Sequence, residues 1–147
     1  GLTITIDGVD FEILQTQSPE DDQVNGNSMV FRVNPNYEGG RTCMFLNDTS
    51  VWSGAKLLKT YGEKLKSDIV QMAHHGQGGV ELPVYEAIGA KYTFWPTPDW
   101  LWTNTPGGWE PGTGPWQIFE VRKWIEDMNA EFVTAMEEHA VLDTEKI

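Results

Sequence analysis

Cysteine is nearly absent: Cys43 is the single one among 147 residues, which excludes an intrachain disulfide framework. It lies in the apolar stretch Arg41 to Leu46, which reads as a buried strand, so an inert core thiol is expected. Positive charge is scarce too, with 10 Lys and Arg against 22 Asp and Glu for a formal charge of -12. Such a field repels nucleic-acid phosphates and anionic headgroups and attracts cations. Lys56, Lys59, Lys64 and Lys66 read as the solvated face of a helix rather than a basic patch, so nucleic-acid binding is not supported. No run approaches the roughly 20 apolar residues of a membrane span. No export signal precedes Leu2, which favours the cytoplasm, although Gly1 also reads as a scar of tag removal that would hide one. Phosphate-binding glycine signatures and a serine elbow are missing. Histidine is limited to three residues, of which His139, between Glu138 and Ala140, reads as surface or hairpin.

What is present suits one folded domain. Apolar residues make up 39%, including seven Trp and six Phe, enough for a core despite 15 Gly and 8 Pro. Alternation around Asp7 and Gly8 predicts a hairpin over 2–17, and polar residues 18–27 read as a loop. Met29 to Val33 and Thr42 to Leu46 read as antiparallel strands. Ser53 is the expected cap of a helix over 54–61 that Gly62 stops. Asp68 to Ala73 reads as a buried strand, followed by a glycine-rich loop over 74–79. A helix over Leu82 to Ile88 has Pro83 in its first turn, and Lys91 to Trp95 is strand-like. Residues 96–115 look aperiodic, a functional or partner-contacting loop. Ile118, Val121, Ile125 and Met128 form one stripe of a helix over 116–128. Residues 132–136 and 139–142 suggest a last hairpin. Strands alternating with helices make an α/β chain.

Chemistry concentrates where two strands open into loops, at Asp48 and at His74-His75-Gly76. Carboxylate and imidazole suit zinc, manganese or iron, and Gly76, Gly78 and Gly79 allow close approach of the backbone to a metal or substrate. The alternatives stand beside this: an aspartate after a strand often only caps a turn, and one of two adjacent histidines often only bonds backbone. Trp95, Asp99, Trp100, Trp102 and Trp109 read either as a pocket wall or as rings packed against another part of the protein.

The order of these segments resembles the metallo-beta-lactamase superfamily, in particular the hydrolase-like domain of bacterial DNA-uptake channel proteins. A strand like 27–31 is followed there by a turn and a second strand ending in a metal-bridging aspartate, here Asp48. A helix then leads to a stretch like Lys66 to Gly76 that carries a late histidine ligand, placed directly before a glycine and therefore His75. His74 is then a supporting residue or the alternative ligand. The family's usual glycine before the aspartate is Asn47 here, and its usual proline before the histidine pair is Ala73.

The resemblance implies one sheet and its helices from a four-layer αββα sandwich, residues 1–147 forming an incomplete domain that corresponds to the C-terminal half. The implied function is metal-dependent hydrolysis, on a small-molecule or phosphoester substrate, with metal ligands Asp48 and His75 and pocket residues Gly76, Trp95, Asp99 and Trp100. Two zinc ions (or manganese or iron) are expected only with the family's N-terminal histidine- and aspartate-rich motif, which has no counterpart here, so this chain alone is expected to be inactive. One uncovered sheet face implies that a missing N-terminal half-domain or self-association covers it. The competing expectation is a non-catalytic structural or protein-interaction domain that keeps the fold.

Overall fold

The computed structural model describes residues 1–17, 24–134, 142–144 and 146. Strands β1 (Leu2–Ile6) and β2 (Val9–Gln15) form the expected hairpin. Asp7 and Gly8 both have positive φ, 48° and 78°, the two-residue turn whose twist matches its flanking strands. β3 (Val30–Pro35) and β4 (Cys43–Phe45) continue the antiparallel pairing. β5 (Ile69–Gln71), β6 (Tyr92–Trp95) and β7 (Glu131–Thr134) then add in parallel, giving a seven-stranded mixed sheet in sequential order. Parallel neighbours need crossovers. Helices α1 (Val51–Tyr61), α2 (Leu82–Ile88) and the pair α3 (Asp99–Trp102) and α4 (Ile118–Asp127) supply them. The chain is therefore an α/β protein, a mixed sheet flanked by helices.

Three local expectations change. The cap of α1 is Ser50, not Ser53: Ser50 has extended backbone and its hydroxyl accepts from the Ser53 N–H at 3.2 Å, so the helix starts three residues earlier. Residues 96–115 are not aperiodic, because they contain α3 and are tied back by Gly112 N–H to Thr103 O and Gly114 N–H to Asn104 O. The last long helix begins at Ile118 rather than Trp116. Of the expected last hairpin, Phe132 to Thr134 are described and lie in β7. α4 carries them back across the sheet, and they pair in parallel with β6. The rest of that expected hairpin, with His139, lies outside the described residues, as do residues 18–23 of the expected loop.

Strand register assigns two chemically different faces, because directly paired residues project to the same side. Met44, Val70, Met72 and Trp95 join Leu57, Val84, Ile88, Ile118, Val121 and Ile125 in one core beneath the helices. The other face runs from Leu2, Ile4 and Ile6 through Phe11, Ile13, Phe31, Val33, Phe45, Cys43 and Ile69 to Phe94 and Val133. Among the described residues no helix covers it; Leu142 and Thr144 meet Cys43, Phe45, Ile69 and Phe94 around one hollow. Leu2, Ile4 and Ile6 are 61%, 46% and 56% exposed on the outer strand.

On the helix side, Arg32 joins the outer strands to the layer above. It pairs with Glu12 on the neighbouring strand and donates to the carbonyls of Lys64 (2.8 Å) and Lys66 (3.0 Å) after α1. On the open face, burial pushes the Cys43 thiol up to about 11. At pH 8 only about one thiol in a thousand is then ionised, and the thiolate is the nucleophile. Alkylation of Cys43 by iodoacetamide is expected to run at least about a hundredfold slower in the folded chain than in denaturant. Equal rates, followed by intact mass, would contradict this environment.

Candidate functional site

The carboxyl ends of β4 and β5 place Asp48 and the two histidines next to each other. β4 ends at Phe45, and the chain turns at Asn47, whose φ is 51°. Asparagine is among the few residues that tolerate this left-handed conformation, which accounts for its standing where a glycine is usual in the resembling family. Asn47 also links three strand ends. Its N–H donates to Gln71 Oε1 (2.8 Å), its side-chain amide to Met29 O (2.6 Å), and its carbonyl accepts from His74 N–H (2.7 Å). Ala73 has a role that proline lacks, since its N–H donates to the buried Tyr85 hydroxyl at 3.2 Å.

After β5, His74 and His75 adopt consecutive left-handed conformations, with φ 47° and 58°. Two such non-glycine residues in a row cost roughly 1–3 kcal/mol each and persist only where surrounding bonds impose them. Their rings consequently diverge, with centroids 6.3 Å apart and planes inclined by 49°. His75 turns toward Asp48, with 3.6 Å between Nε2 and Oδ1, and both side chains are a little under half exposed. His74 turns the other way, its Nε2 lying 3.4 Å from Asn25 Nδ2.

The protonation pattern of His75 follows from its neighbours. Nδ1 lies 2.8 Å from Pro96 O, an oxygen that can only accept, so Nδ1 carries the hydrogen. Thr97 fixes the same residue from the backbone side, its hydroxyl donating to His75 O at 2.6 Å. When the ring is neutral, its Nε2 presents a lone pair to a carboxylate oxygen. At 3.6 Å the two are too far apart for a normal hydrogen bond, and they repel unless a proton or a cation lies between them. Two ligand bonds of about 2.0–2.2 Å to one ion span such a gap at an open angle. The donor pair thus fits two positions of a metal shell. Among the described residues no third His, Cys, Asp or Glu joins them.

The four residues expected to line a pocket are placed differently from one another. Gly76 is buried with φ 82°, packed against Trp95 and Ile118. Trp95 is fully buried, stacked on Phe132, met edge-on by Trp102, and its indole N–H donates to Thr93 Oγ1 at 2.8 Å. It supports the site from within the core. Asp99 and Trp100 are exposed on α3, where Trp100 packs on Trp116. A cavity of about 520 Å³ instead opens beside His74, lined by Asn25, Ser50, Val51, Trp52, Ala55 and Gly79. Asn25 and Trp52 carry no sequence motif that would single them out. The Pro96 carbonyl is a backbone group that no side-chain pattern reveals.

No family model matches the chain. It is 31% identical over 87 residues to the competence protein ComA of Neisseria gonorrhoeae. That match covers 58% of this chain and 12% of the relative, so the chain spans a small part of that protein's length. With the mixed sheet and flanking helices, this partial similarity supports a generic bacterial, hydrolase-like fold.

Proposed function

We propose that this chain is the C-terminal layer of a metallo-beta-lactamase-like hydrolase domain, contributing Asp48 and His75 to its metal centre. The observation that carries the reading is the 3.6 Å gap between a carboxylate oxygen and an imidazole nitrogen already oriented by Pro96. A backbone carbonyl on the far ring nitrogen is the outer partner that metal-binding histidines use to fix tautomer and direction. The order of strand, Asp48, helix, strand and histidine pair supports the same reading, as does the partial match to a competence protein. A divalent ion bound there supplies Lewis acidity to the bond being hydrolysed. This chain's own residues would hold and orient it: Asp48 would offer a carboxylate oxygen and His75 its Nε2, while Asn47 and Thr97 fix the backbone of the histidine pair. Among the described residues no further ligand joins the pair, so activity is expected to need further ligands and a second sheet on the apolar face. The apolar face, which no described helix covers, also favours a second reading, a non-catalytic interaction domain.

Zinc titration followed through the histidine ring signals separates the two. Weak, saturable binding is expected, reduced at least about tenfold in Asp48→Asn and in His75→Ala, since even the loss of an outer partner costs that much. His74→Ala retains it. Zinc binding that survives both Asp48→Asn and His75→Ala, or no binding at all, would remove the metal centre and leave the interaction domain.

A further inference from the structure

The cavity beside His74 is not absorbed by the metal centre. It lies between the first turn of α1 and the loop after β5, and its volume of about 520 Å³ falls within the range of small-molecule sites, about 300–1,000 Å³. Among the described residues its lining holds no Lys, Arg, Asp or Glu, in a chain of net charge -12. The nearby cation Lys56 is held over the Trp52 ring, 5.4 Å from its centroid. The Ser50 hydroxyl already takes the Ser53 N–H at the start of α1. An anion entering here would shed water without meeting a cationic side chain among the described wall residues.

The groups that do face the cavity suit a flat, uncharged ligand. Trp52 offers a large, half-exposed ring, and aromatic partners prefer to stack or meet edge-on. His74 and Asn25 offer hydrogen-bonding edges, and their mutual contact of 3.4 Å is long, leaving both with donor and acceptor capacity for a ligand. We infer that this cavity binds a neutral planar ring bearing a hydrogen-bonding edge, such as an aromatic amide. His74 and His75 are adjacent, with rings 6.3 Å apart. A ring held here therefore lies beside the Asp48–His75 pair and, if the metal-centre reading holds, is the recognised part of the substrate.

Benzamide is the probe, titrated into the isotopically labelled chain and followed by NMR. It is expected to shift the His74 ring and the Ala55 and Gly79 amides with Kd on the order of 1 mM, typical for a ligand of this size. Trp52→Ala should weaken it about fivefold to tenfold, and Ala55→Leu should abolish it by filling the mouth. Both altered side chains are exposed, so the fold is retained. Benzoate, the same shape with a negative charge, should bind at least about tenfold more weakly. Absent or scattered shifts, or equal affinity in Trp52→Ala, overturn the site, and benzoate binding as well as benzamide overturns its neutral class. None of these measurements needs metal. Zinc binding without benzamide binding removes the cavity alone, and the reverse result removes the metal centre alone.

Discussion

Gly76→Ala is expected to lower the unfolding free energy by about 2–5 kcal/mol, combining the cost of a left-handed non-glycine residue with that of an overfilled core. At φ 82° an ideal Cβ lies 2.6 Å from Trp95 Cε3, closer still to Cζ3, and 3.1 Å from Ile118 Cδ1. Trp95 cannot give way, because Phe132 stacks on it with centroids 5.2 Å apart and Thr93 holds its indole N–H. Chemical denaturation gives the loss directly. In a Trp95→Leu background the clash has room to relax, so the cost of Gly76→Ala should shrink by about 1–3 kcal/mol, the coupling expected between residues in contact. Additive losses would show that the close approach of Gly76 to the indole is not what makes glycine necessary. Because Gly76 follows His75, the same substitution should also disturb the 3.6 Å approach to Asp48.

The second large effect is on association. The face from Leu2 to Val133 is largely apolar across the described strands, with Gln71 and Glu131 among its polar positions, and the isolated chain is expected to self-associate through it at micromolar concentration. Leu2 and Ile4 project from the outer strand onto that face, 61% and 46% exposed. Leu2→Lys combined with Ile4→Lys should weaken association by about a hundredfold or more, since each substitution counts twice across a twofold interface. Lysine is also the residue that natural edge strands use to prevent pairing. Sedimentation of both chains over a concentration series measures the change. A wild-type chain that stays monomeric throughout would remove the sandwich-layer reading, because it would mean that the face needs no cover.

How far the sequence reaches differs from element to element. The first hairpin was legible because Asp7 and Gly8 stand between two alternating runs, and α2 because Pro83 and Gly89 mark its ends. The start of α1 was not: Ser50 and Ser53 are the same residue type, and only the backbone conformation shows which one caps. At Phe132 to Thr134 apolar alternation reports a strand but not its neighbour. α4 decides that neighbour by returning the chain parallel to β6. Trp95 looked like a pocket residue because tryptophan serves equally in a wall and in a core, and its stacking on Phe132 is a long-range contact.

The pair Asp48 and His75 divides along the same line. Sequence alone determined that a carboxylate and an imidazole each stand where a strand opens into a loop, since strand pattern and flanking residues are local properties. Only the tertiary structure decided that the two meet, 27 residues apart in the chain, because parallel pairing of β4 with β5 aligns their ends. It also decided which histidine faces the aspartate. Consecutive left-handed residues send adjacent rings in different directions, and the Pro96 carbonyl, brought in from the end of β6, holds His75 toward Asp48 while His74 faces the cavity.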